Sequence, residues 1–276
     1  MQHVASDGAE IPAIGLGTWT LSGDTCRSLV AEAIRSGYRH IDTAAIYDNE
    51  AEVGAGIRAS GIAREEIFLT TKVWYTDLAP RDARRSVESS LKRLGLDYVD
   101  LILIHWPSNA APLADTLEAL HKVREDGLAR HIGVSNFPSA LLRDAVAVSR
   151  SPIVCNQVEY HPHLGQTKVL SACRELGLAL VSYCPLGRGA ELFGEPVIQA
   201  AARAHARTPA QIVLRWHVQQ EGVAAIPRSS RIGNIRANLD VFDFRLSDDE
   251  MRQVSRLARR NRRICDFAFS PRWDAA

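Results

Sequence analysis

Short apolar runs and helical stripes alternate along most of the 276-residue chain. Residues 14–19, 40–42, 68–72, 99–104, 131–135, 154–157, 178–183 and 224–227 read as strands, each a short apolar run bounded by turn or polar positions. Helical spacing fills the intervals. Residues 24–36 and 49–60 precede the second and third runs, and Ala83, Val87, Leu91 and Leu94 recur with helical period behind Pro80. Leu113, Leu117 and Leu120 mark the next helix, Leu141, Leu142, Ala145 and Val146 another, and residues 167–176 a further one. Thr208-Pro209-Ala210-Gln211 and Ser247 with Glu250 carry the pattern of capping boxes at the starts of two later helices. Eight strands separated by helices, without a linker, predict one domain over residues 1–276: a closed α/β (β/α)8 TIM barrel. Residues 3–12, with Asp7-Gly8 as the turn signal, read as an N-terminal β-hairpin that could plug one end.

Composition agrees with one large core, since 46% of residues are hydrophobic and 24% charged. With 33 basic against 32 acidic side chains there is no overall field for nucleic acid or an anionic membrane, and the opening residues lack a leader pattern, so a cytoplasmic protein is expected. The run Arg259-Arg260-Asn261-Arg262-Arg263 reads as a solvated helix end. Five cysteines form no Cys-x-x-Cys pair, and His161-Pro162-His163 has no nearby residues to complete a ligand set, so no metal site is expected. Gly15-x-Gly17 lacks the third glycine of a dinucleotide-binding fingerprint.

Candidate chemistry collects where strands end. Asp42 and Tyr47 fall in the connection after the second run, Lys72 closes the third, and His105 follows the fourth. Each alone could be a turn or packing residue. In a parallel barrel, however, all four converge on one face, where active sites are built. A carbonyl accepting hydride needs a proton donor, and Tyr47 is the candidate. A cation about 4 Å from the phenol, at an effective dielectric of about 20, is worth about 4 kcal/mol. Lys72 is therefore expected to lower the Tyr47 pKa, with Asp42 holding the lysine in place. His105, neutral, could donate a hydrogen bond to the substrate oxygen. None of these side chains stores a hydride, so a redox cofactor is required.

The stretch 37–49, Lys72 and Ile104-His105-Trp106-Pro107 resemble the aldo-keto reductase family, over nearly the whole chain. Within it, the likeness is greatest to bacterial reductases of 2,5-diketo-D-gluconate (the B type) and methylglyoxal. The resemblance implies the same four catalytic positions and a nicotinamide cofactor, NADPH (NADP+). Ser135, Asn136 and Gln157 match the positions that hold the carboxamide, and Tyr183 the aromatic residue that stacks on the ring. The loops after strands seven and eight, with Leu186, Arg188, Arg228 and Ser229, are the expected phosphate corner. Asn234 and Asn238 also fall at cofactor positions. The family usually has lysine where Arg228 stands, and often arginine at 234 and glutamate at 237. Trp19, Trp74 and Trp106 are implied as pocket walls beside His105, with a C-terminal tail carrying Phe267, Phe269 and Trp273 folded over the substrate mouth. The expected partner is a small-molecule carbonyl substrate such as methylglyoxal, a diketo sugar acid or an aromatic aldehyde, acted on by a monomer. A nicotinamide-binding regulatory subunit with little turnover is the alternative, against which the intact quartet argues.

Overall fold

The computed structural model describes residues 2–275. Two antiparallel strands open the chain, β1 (His3–Ser6) and β2 (Ala9–Pro12), joined through Asp7 and Gly8, both at positive φ as a two-residue hairpin turn of this kind requires. Parallel strands then follow at regular intervals: β3 (Leu16–Gly17), β4 (His40–Asp42), β5 (Phe68–Val73), β6 (Val99–Ile104), β7 (Ala129–Ser135), β8 (Ile153–Glu159), β9 (Ala179–Tyr183) and β10 (Val223–Ala225). Each pairs with its sequence neighbour, in spatial order β3 through β10. Closure comes from a bridge between Ile14 and Ala225, fixed by Gly15 N donating to Ala225 O at 2.9 Å, Ala225 N to Ala13 O at 2.8 Å and Gly17 N to Pro227 O at 3.1 Å. The predicted (β/α)8 barrel is therefore present. Its N-terminal end is covered by the hairpin, whose Ser6 hydroxyl donates to Gly177 O just before β9.

Helices α1 (Gly23–Arg35), α2 (Glu50–Ser60), α3 (Pro80–Leu94), α4 (Leu113–Glu125), α5 (Ser139–Val148) and α6 (Thr167–Glu175) lie where the apolar spacing put them. The long crossover before β10 holds three helices, α7 (Ala190–Phe193), α8 (Pro196–Ala204) and α9 (Pro209–Val218), of which sequence analysis anticipated only the last. It likewise passed over α10 (Ile232–Leu239) before α11 (Asp248–Ser255). Both predicted capping boxes form: Thr208 and Gln211 close the start of α9, and Ser247 and Glu250 the start of α11.

The arginine run ends a helical turn with Arg259, Arg260 and Arg262 exposed, as expected, and it also makes contacts that were not foreseen. Arg260 pairs with Glu195 at 2.6 Å, Arg262 pairs with Glu191, and the Arg263 guanidinium lies 3.7 Å over the Trp273 ring. Arg260 and Arg262 thereby pair the end of the chain with the segment that holds Glu191 and Glu195, and Arg263 joins two parts of the tail to each other. Among the described residues, no helix is long and apolar enough to cross a membrane, and no group of three or more His, Cys, Asp and Glu could hold a metal ion.

Helices α2 and α3 meet at Gly54, where a Cβ would sit 1.9 Å from the Leu94 carbonyl oxygen. Helix propensity alone would reward Gly54→Ala by about 1 kcal/mol. The clash is with backbone, which cannot swing aside, so the substitution is expected to destabilise by about 1–3 kcal/mol. Urea denaturation should show a lower midpoint at unchanged slope.

Candidate active site

Asp42 ends β4, and Lys72 stands two residues past Thr70, its partner in the neighbouring strand β5. Lys72 Nζ donates to Asp42 Oδ1 at 2.5 Å and Thr43 O at 2.8 Å, and reaches Tyr47 Oη at 3.4 Å. The lysine and aspartate side chains are 0% and 2% exposed, so this ion pair works almost without water screening. Tyr47 closes the single helical turn Ala45–Tyr47 that follows β4. That connection is held by Asn49, which is completely buried. Its amide donates to Thr18 O and Leu21 O at 2.8 and 2.9 Å, and its oxygen accepts from the Thr43 hydroxyl at 2.7 Å. Sequence analysis saw Asn49 as a helix start and as the end of the stretch 37–49 that carries the family resemblance, without a role of its own. An asparagine immediately before a helix and within a strand-to-helix connection was the available signal.

His105 follows β6, its backbone N–H donating to Val73 O at 3.0 Å. Its ring stands edge-on to Tyr47 at 5.7 Å and to Trp74 at 5.0 Å between centroids. His105 Nδ1 is buried with no partner. A buried N–H without an acceptor is costlier than a bare lone pair, so the favoured tautomer carries its hydrogen on Nε2. Burial, and then the Lys72 charge, hold the imidazole well below its ordinary pKa, so the ring is neutral at neutral pH.

The expectation for Tyr47 is reversed. Burial, and then the Asp42 carboxylate, raise the phenol well above its usual value. Burial is the larger cause, and Asp42, 2.5 Å from the ammonium, offsets the pull that Lys72 would otherwise exert on the phenol. Burial also lowers the Lys72 pKa, against the pull of Asp42. In this state the phenol therefore keeps its proton firmly.

A cavity of about 250 Å3 opens above these groups, lined by Trp19, Asp42, Tyr47, Trp74, His105, Trp106, Asn136, Gln157, Tyr183 and Arg228 from the predicted set. Phe267 lines it too, as expected of the tail, and Ile46, Cys184 and Cys265 also line it and were not singled out as site residues. A larger recess of about 760 Å3 lies beyond the tail, between Tyr75, the loop after β6 and Phe269. No carboxylate, imidazole, thiol or amine lines it, so the chemistry belongs to the smaller cavity.

The other predicted residues divide. Asn136, at φ 65, donates through its amide to His105 O at 2.9 Å and accepts from the Tyr183 hydroxyl at 2.7 Å. The Gln157 amide donates to Asp42 Oδ2 at 2.7 Å, joining this strand end to the ion pair. Ser135 turns its hydroxyl onto Gln157 O and does not line the cavity. Arg188 lies 5.8 Å over the Trp19 ring, and Arg228 donates to Trp19 O at 3.3 Å, so two cations from different loops meet at one lip. Leu186 packs against the core, and Ser229 is buried and hydrogen-bonded to the Arg231 backbone at the start of α10. On α10, Asn234 is exposed, whereas Asn238 is buried and does not line the cavity.

The tail crosses this mouth. Phe267 and Phe269 stack on one another, and both meet the Trp106 ring edge-on, at 5.7 and 5.4 Å. Phe269 also packs on Trp74 and Tyr75.

Comparison with known proteins agrees with this geometry. The model of the Aldo/keto reductase family matches residues 13–259. The chain is similar to a Pseudomonas putida protein named morphine 6-dehydrogenase, 44% identical over 268 residues and covering 91% of this chain and 89% of that protein. It is also similar to a Bacillus subtilis glyoxal reductase, 42% identical over 252 residues and covering 91% and 90%. A crystal structure described as a candidate 2,5-diketo-D-gluconic acid reductase B superposes with a TM-score of 0.97 at 44% identity, covering 100% of this chain and 98% of that one. The chain belongs to the aldo/keto reductase family, oxidoreductases that act on small carbonyl compounds with NAD(P)H.

Proposed function

We propose that the protein is an NADPH-dependent reductase of small aldehydes and ketones, among them methylglyoxal, diketo sugar acids and activated aromatic aldehydes, with Tyr47 as proton donor. The observation that carries this reading is the buried ion pair that brings Lys72 Nζ to 3.4 Å from the Tyr47 hydroxyl, beside His105, at the floor of a cavity of only about 250 Å3.

NADPH, when bound, supplies the hydride. Two features of the chain fit such a group: Arg188 and Arg228 converging on Trp19 suit phosphates, and Tyr183, Asn136 and Gln157 at one wall suit a planar ring bearing a carboxamide. The remaining steps belong to side chains. His105 Nε2–H orients the substrate oxygen and stabilises the charge that develops on it. The Tyr47 hydroxyl passes its proton to that oxygen, and Lys72 stabilises the negative charge left on the phenol. Asp42, fixed by Gln157, keeps the lysine protonated and aimed. The raised Tyr47 pKa gives a donor that keeps its proton until the substrate oxygen becomes more basic. The three tryptophans and Phe267 exclude water, and the short loop between His105 and α4 leaves no wall to enclose a long apolar ligand.

The test is a panel of methylglyoxal, 2,5-diketo-D-gluconate, nitrobenzaldehyde and a steroid ketone, run with wild type and Tyr47→Phe. Wild type should turn over the three small carbonyls with higher kcat/KM than the steroid. The variant should lose about 10²–10⁴-fold in kcat while binding cofactor nearly as well. A steroid that ranks first, or a variant with near-normal turnover, would sink the proposal.

The pH profile is a second check. A histidine whose pKa is lowered stays neutral below its ordinary value of about 6.5. Protonation of His105 should therefore not cut kcat/KM between pH 7 and 6, and an acid limb centred near 6.5 that disappears in His105→Gln would contradict the assignment.

For the cofactor, Arg228→Ala should raise the KM for NADPH by about 10- to 100-fold, the range expected for one hydrogen-bonded charge pair, with little change for NADH. Equal effects on both would show that Arg228 does not read the 2′-phosphate.

A further inference from the structure

β8 does not stop at Gln157. Two residues on, and so on the same face of the strand, stands Glu159, with a side chain 0% exposed. It is absent from the cavity wall. Its carboxylate instead receives the tail: Ile264 N donates to Oε1 and Cys265 N to Oε2, each at 2.7 Å, and His161 Nε2 lies 3.0 Å from Oε1. Burial pushes the carboxyl pKa up, but the His161 bond and the two backbone bonds more than reverse this and leave the group below the usual carboxylate range. A buried anion receiving two successive backbone N–H groups fixes both the position and the direction of the chain at that point.

The residues just beyond this anchor form one side of the cavity wall. Cys265 and Phe267 face the cavity, and Phe269 packs on Trp74, Tyr75 and Trp106. The far end of the tail is tied as well. Asp274 accepts from Ser139 N and the Ser139 hydroxyl, both at 2.8 Å, capping a helix that lacks a side-chain cap of its own. Arg263 over Trp273 joins the two ends.

We propose that Glu159 is a positioning residue that latches the C-terminal tail to the barrel, and through Cys265 and Phe267 sets how tightly the cavity grips its carbonyl substrate. The effect on substrate rests on the reductase reading; the latch itself does not.

Glu159→Gln keeps the size but offers one acceptor oxygen, turning an amide N–H2 toward one of the two tail N–H groups. Ile264→Pro removes one tail N–H and leaves Glu159 intact, so it tests the same bond from the other side. In the full-length protein both variants should raise the KM for nitrobenzaldehyde by about tenfold, with kcat and the Kd for NADPH within about twofold of wild type. The rise should be smaller for methylglyoxal, which is too short to reach the Phe267 wall. Limited trypsin digestion should cleave after Arg262 faster in both variants, the Arg263 site being usable only in Glu159→Gln because trypsin does not cut before proline, and at Arg262 the double variant should be no worse than either single one. Unchanged tryptic cleavage, or a lower Tm with KM unmoved, would overturn the latch. A wild-type enzyme that reduces no carbonyl would instead overturn the functional reading, leaving the digestion to decide the latch alone.

Discussion

A lysine ammonium and a carboxylate held 2.5 Å apart, both all but sealed from water, constrain everything around them. Such a pair gains little net stability, because taking both charges out of water costs about what their attraction returns. It persists only if every remaining donor and acceptor is matched. Thr43 O takes a further lysine proton, and Gln157 donates to the second carboxylate oxygen. Three strand ends and the connection after β4 are thereby bound to one charge pair. Asn49 then fixes the loop that carries Tyr47, so the phenol's position is inherited from the ion pair and its supports.

The polar network on the opposite wall obeys the same logic at lower charge. Asn136 adopts a left-handed backbone that few side chains tolerate, and its amide is occupied on both sides, by His105 O and by the Tyr183 hydroxyl. The ring of Tyr183 is thus aligned by a residue two strands away. Preorganisation of this kind places the reactive groups before substrate arrives.

Much of this was legible in the chain. The alternation of strand and helix gave the barrel, Asp7-Gly8 the hairpin and Thr208 and Ser247 their capping boxes, because each is a local pattern with a local cause. The four chemical residues stood out because strand ends of a parallel barrel share a face. Other features were hidden for physical reasons. Helix α7 is a single turn and α10 is weakly striped, so their spacing did not separate them from loop, whereas α8, with Ile198, Ala201 and Ala202 on its buried face, carried a readable stripe that the sequence analysis passed over. The rise in the Tyr47 pKa depends first on how deeply the phenol is buried and then on how near the Asp42 carboxylate lies, which are matters of packing and not of pattern. Glu159 reads as an acidic residue at a strand end, and its partners lie 105 and 106 residues away. Asn238, which the family resemblance puts among the cofactor residues, is buried on α10, and its burial is not written in any local pattern.

The barrel seam carries a further consequence. Strands β3 and β10 are among the shortest of the eight, and they meet through a single bridge and a few backbone bonds. Directly above that seam, Arg228 from one lip grips Trp19 from the other. Whatever anion settles on this corner spans the join like a rivet, so occupancy and the integrity of the whole cylinder rise together. The joint where the first and last strands of the barrel meet lies beside the ground where its cofactor is proposed to stand.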